Sequence, residues 1–65
     1  MKLKRKSGWR VFTIKEAIVA SISPPKKAEE GAARKFGELV ETLYNKNLLD
    51  AADVLRIADD FEIVE

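Results

Sequence analysis

Apolar residues recur along this chain first with a strand-like and then with a helical period, and the changes of period mark its elements. Trp9-Arg10-Val11-Phe12 is a short aromatic and β-branched run, which predicts a strand. From there Ile14, Ile18 and Ile22 recur at steps of four with Ala17 alongside, one apolar face of a short helix. Thr13 and Glu16 form a capping box at its start. The hydroxyl is placed to accept from the backbone N–H near Glu16, and the carboxylate reaches back to the cap. Pro24 and Pro25 stop this helix because neither supplies the N–H that a further turn needs. Ser23 is placed to cap the next one, with proline in its first turn.

The second helix, Pro25 to Asn45, has the strongest pattern. Ala28, Ala32, Phe36, Leu39, Val40 and Leu43 share a face at spacings of three and four, with Glu30 and Arg34 as a favourable pair opposite. Gly37 inside this pattern costs roughly 1 kcal/mol relative to alanine, so close approach of another backbone or of a large ring near Ala33 and Gly37 is expected. Tyr44 lies near that flank. Asn45-Lys46-Asn47 has the residues of a helix end and turn. Asp50 then suits an N-cap, with Asp53 in the first turn of a third helix and Leu49 and Val54 at staple positions. Ala51, Val54, Leu55 and Ala58 supply its buried face, and Phe61-Glu62-Ile63-Val64 alternates as a strand does.

The resulting fold class is α+β: a small single domain of three helices with two short terminal strands, in the order strand-helix-helix-helix-strand. Residues 1–8 read as a flexible basic arm, with Ser7 and Gly8 as a joint, and 9–65 as one compact domain. The two strands are expected to pair as a ribbon across the helices or with those of a second copy, since an isolated ribbon is marginal.

Composition changes the picture in three ways. At 65 residues the chain holds one domain, and it has neither cysteine nor histidine. Disulfides and the ordinary structural zinc sites are therefore excluded, leaving tight packing or oligomerisation to complete a small core. The longest purely apolar run, Ala17 to Ala20, is too short for a membrane span or a secretory core, so a cytoplasmic protein is expected.

The third change concerns charge. Met1 to Lys27 carries eight basic residues against one acid, a charge of +7, while 28–65 carries four against ten, a charge of −6. Such a division bears on partners and association rather than on fold.

Catalysis has little to work with. General acid–base and nucleophilic chemistry usually draw on histidine or on an activated serine, cysteine or lysine. The cluster Asp59, Asp60 and Glu62 lacks the spaced pattern of a calcium loop, and the three glycines stand apart rather than forming a phosphate loop. No enzyme, cofactor, metal site or small-molecule substrate is expected.

Two binding readings remain. The first is a non-enzymatic protein-interaction module, self-associating or occupying a surface on a macromolecular partner, because the apolar arc of the second helix runs from Ala28 and Leu39 round to Ala33, Gly37 and Tyr44, wider than one contact needs. Its interface candidates are Trp9, Phe12, Ala33, Phe36, Gly37 and Tyr44. The alternative is a non-specific nucleic-acid binder, with Lys2, Lys4, Arg5, Lys6 and Arg10 on phosphates and Trp9 and Phe12 interleaved. A helix-turn-helix reader is disfavoured, because the third helix exposes Asp50, Asp53, Asp59 and Asp60 against Arg56 alone.

Overall fold

In the computed structural model, which describes residues 1–22 and 27–64 (the side chains of 27–29 excepted), the order is β1 (Lys2–Arg5), β2 (Val11–Phe12), α1 (Ile14–Ile22), α2 (Lys27–Asn45), α3 (Ala51–Ile57) and β3 (Phe61–Val64). This is the small α+β fold that the hydrophobic pattern predicts. The proline stop after α1, the Ser23 cap and the first residues expected in α2 fall outside the described residues.

The N-terminal segment departs from the expectation of an arm. Lys2–Arg5 is the central strand of a three-stranded antiparallel sheet ordered β2-β1-β3. The two terminal strands anticipated as a ribbon do not pair with each other; both pair with β1. Leu3 faces Phe12 on one side and Ile63 on the other, and Arg5 faces Phe61. Cross-strand neighbours share a face of the sheet, so Leu3, Arg5, Phe12 and Phe61 lie together. Leu3 and Phe61 are fully buried there with Ile14, Ala17, Ile18, Val40, Val54 and Ala58. One apolar residue among cations gives no readable period, yet its burial and its two strand partners suffice to order the segment.

Ion pairs also join β1 to the end of the chain. Lys4 Nζ lies 2.6 Å from the Glu62 carboxylate, and Arg5 lies 2.7 Å from Asp60. The Lys6 N–H donates to the Asp60 carbonyl at 2.9 Å, extending the ladder beyond β3. Phe12 meets Phe61 edge-on at 5.1 Å between centroids, and the Arg5 guanidinium lies 5.0 Å from the Phe61 ring centre.

The helix ends follow local chemistry closely. At α1 the Glu16 N–H donates to the Thr13 hydroxyl at 3.2 Å and the Thr13 N–H to the Glu16 carboxylate at 3.0 Å. At α3 the Asp53 N–H donates to the Asp50 carboxylate at 3.0 Å, and the Asp50 N–H to that of Asp53 at 3.2 Å. After α2, Asn47 takes the left-handed conformation (φ 63°), one that asparagine tolerates better than most residues. The N–H groups of Asn47 and Leu48 then donate to the carbonyls of Tyr44 and Leu43, the pairing of a Schellman motif.

The expected face of α2 is rotated. Val40 of the expected face is buried, but its inward neighbours are Ala33 and Gly37, with Tyr44 packed against the core. Ala32, Phe36 and Leu39 are exposed and Leu43 is half-buried. Ala28, also assigned to that face, has no described side chain. The rotation follows from Gly37. Its missing side chain lets α2 approach α1 until a methyl at this position would stand 2.9 Å from the Lys15 carbonyl oxygen. The close backbone approach expected of this glycine is therefore present, and α1 is the partner.

Candidate interaction surfaces

Two surfaces carry side chains that the fold itself leaves unused. The first is a groove between β2 and the paired helices α1 and α2. At one end a depression of about 450 Å³ is lined by Arg5, Gly8, Trp9, Arg10, Phe12 and Ala20. A second of about 310 Å³ shares Arg10, Phe12 and Ala20 with it and continues past Lys15, Glu16 and Val19 to Arg34. The groove thus has Trp9 at one end, Arg34 at the other, and Phe12, Val19 and Ala20 among its apolar lining.

Local structure sets these groups in place. Trp9 sits in the connection between β1 and β2, which turns back where the Gly8 N–H donates to the Arg5 carbonyl at 3.0 Å. Trp9 is 89% exposed, although so small a domain would ordinarily be expected to bury so large a side chain. Phe61 lies in the core instead, with Phe12 packed against it. The Arg10 guanidinium lies 4.7 Å from the Phe12 ring centre, stacked on the groove lining.

The electrostatics separate used from unused cations. Lys15 is committed: its Nζ lies 2.8 Å from the Glu38 carboxylate. That hydrogen bond and charge hold the Glu38 carboxyl below the usual range. Lys4 and Arg5 are committed to Glu62 and Asp60. Glu16, the one acid along the groove, is held below its ordinary pKa chiefly by the Thr13 backbone N–H. Arg10 and Arg34 have no carboxylate partner among the described residues. The expected Glu30–Arg34 pair does not form, and Arg34 lines the groove.

The second surface is the outward stripe of α2. Phe36 is 40% exposed and Leu39 53%, with Ala32 beside them, Leu43 half-buried and Leu48, just past the helix, 68% exposed. Positions 32, 36, 39 and 43 follow one another at steps of four, three and four, the spacing of a coiled-coil seam.

The residues singled out from sequence fall into distinct places. Of the interface candidates, Trp9 and Phe36 are exposed, Phe12 and Tyr44 are half-buried, and Ala33 and Gly37 are buried, Gly37 against Lys15 of α1. Of the nucleic-acid candidates, Lys2, Lys6 and Arg10 are exposed, while Lys4 and Arg5 brace β1 against β3. Sequence reasoning missed Arg34, Val19 and Ala20 as groove residues. Only the phase of Val19 and Ala20, off the Ile14–Ile18–Ile22 face, hinted at a second contact surface.

Among the described residues no group of three or more acidic, histidine or cysteine side chains is placed to hold a metal, and no helix is long and apolar enough to cross a membrane. No known protein family, curated protein or solved structure matches this chain.

Proposed function

We propose that this chain is a non-enzymatic protein-interaction module that self-associates through α2. The observation that carries the reading is the seam of Ala32, Phe36, Leu39 and Leu43, left unfilled while Ala33, Gly37 and Val40 pack inward. A helix of 19 residues is about 28 Å long, enough to pair along its whole seam.

An antiparallel pairing is the favoured one. It sets Phe36 against Leu39 of the second copy and Ala32 against Leu43, a small residue opposite a large one. A parallel pairing sets each Lys35 and Lys46, which border the seam, beside its own counterpart, an arrangement that like charges disfavour. Two short helices in contact make a modest interface, so the expected dimer is weak and exchanging.

Sedimentation velocity over a concentration series tests this. Wild-type protein shifts from monomer toward dimer as concentration rises, and Leu39→Glu remains monomeric with an unchanged circular dichroism spectrum. A wild type that stays monomeric up to its solubility limit overturns the proposal.

A further inference from the structure

We infer that the groove from Trp9 to Arg34 is a binding site for single-stranded nucleic acid, separate from the α2 seam. Three observations converge there. The only tryptophan of the chain offers its ring almost wholly to solvent. Arg10, stacked on Phe12, forms no ion pair among the described residues, although its charge reaches Glu16, and Arg34 at the far end forms none either. With Arg5 and Lys15 bridged to Asp60 and Glu38, Arg10 and Arg34 still outnumber the single acid of the lining, Glu16, and that carboxylate is occupied with the α1 cap.

An apolar floor between cationic ends fits an extended anionic chain, and the tryptophan favours bases over acidic side chains. A free aromatic face stacks on any unpaired base, whereas a carboxylate gains nothing from it. A duplex is a poor occupant, since its bases are already stacked on one another and none is left to stack on the Trp9 ring.

The number of free cations sets the strength. Two phosphate contacts give a salt slope of about −1.4 on a single strand, so affinity falls about sevenfold between about 50 and 200 mM salt. This is shallower than a five-cation arm would give, because Lys4 and Arg5 are already bridged to acids.

Trp9 reports on its own site. The experiment is a titration of its fluorescence with an oligothymidylate of about 12 nucleotides at those two salt concentrations, with the duplex form and polyglutamate as competitors. The expected result is saturable quenching with the shallow slope and little competition from either competitor. Anisotropy of the labelled oligonucleotide then reads the variants. Trp9→Ala lowers affinity about 5- to 150-fold, and Arg34→Ala reduces the slope by about 0.7. Both residues are exposed, and circular dichroism confirms that the variants fold. Absence of binding at the lower salt, equal competition by polyglutamate, or affinity unchanged in both variants overturns the inference.

Discussion

Two glycines of α2 provide a test of packing in which the same substitution has opposite expected signs. At Gly31 a methyl group meets nothing within 4 Å, and at Gly37 it meets the Lys15 carbonyl oxygen at 2.9 Å and the Lys15 Cα and Cγ at 3.3 Å. Alanine in place of an interior helix glycine stabilises by roughly 1 kcal/mol where there is room. Gly31→Ala should therefore raise stability by about that amount. At Gly37 the same gain is set against an overpacking cost of about 1–3 kcal/mol. The obstacle is backbone rather than the end of a flexible side chain.

Moving α1 aside is itself resisted. The Lys15 N–H donates to the Glu41 carboxylate at 3.0 Å, and its ammonium bridges to Glu38. Gly37→Ala should therefore lower stability by about 0–2 kcal/mol, and the difference between the two variants, about 1–3 kcal/mol, isolates the steric term. Urea unfolding followed by circular dichroism measures both. The exposed Trp9 ring makes fluorescence a poor probe of this core. In a chain of this size 1 kcal/mol moves Tm by about 4–8 °C, so the contrast is readily resolved. If Gly37→Ala stabilises as much as Gly31→Ala, the proximity of α1 is not what selects glycine at 37.

Leu3→Ala should cost about 2–5 kcal/mol, and deleting residues 1–6 should abolish cooperative unfolding, because Leu3 is fully buried in the central strand; cooperative unfolding of the truncated chain in urea would show that the sheet is dispensable. Glu16, Glu38 and Asp50 all have pKa values lowered in the folded state, the first and last by cap hydrogen bonds and Glu38 by Lys15. A depressed carboxyl stabilises the fold above its unfolded pKa, and that contribution is lost as pH falls through the folded value. The urea midpoint should accordingly hold steady down to about pH 5 and decline below about pH 4. A midpoint that rises on acidification would refute the assignment.

Local signals with a fixed spacing were legible in the sequence. Thr13 with Glu16, Asp50 with Asp53, and Asn47 after α2 each act within a few residues, and each is found where the residue types predict. The phase of α2 was not legible, because Ala32, Phe36, Leu39 and Leu43 describe one helical face and Ala33, Gly37 and Tyr44 another, with Val40 between them able to join either. Both are apolar enough to face a core. Hydrophobicity favours the face with Phe36, whereas the structure buries the one with Gly37, since only there can α1 approach closely. Trp9 misleads for the related reason that size alone suggests burial. With Phe12 and Phe61 already packed edge to face at that end of the core, the larger ring lies outside.

The charge division illustrates how a feature that looks intermolecular can be intramolecular. Lys4–Glu62, Arg5–Asp60 and Lys15–Glu38 each join the basic segment to the acidic one. These three bridges neutralise three charges on each side, reducing +7 and −6 to +4 and −3. Partly exposed pairs of this kind contribute less than about 1 kcal/mol each, so they do not hold the fold together. Nor do they fix the register of β1 against β3, because a two-residue slip would still set Glu62 opposite a cation, Lys2 or Lys6. The apolar residues fix it: such a slip moves Phe61 away from Arg5, to face Leu3 or Ser7, and disturbs its packing on Phe12. Charge thus favours the pairing of the two chain ends, and burial of Leu3 and Phe61 sets its alignment. With the long-range dipole reduced in this way, recognition of a partner rests on the local geometry of the α2 seam and of the Trp9–Arg34 groove.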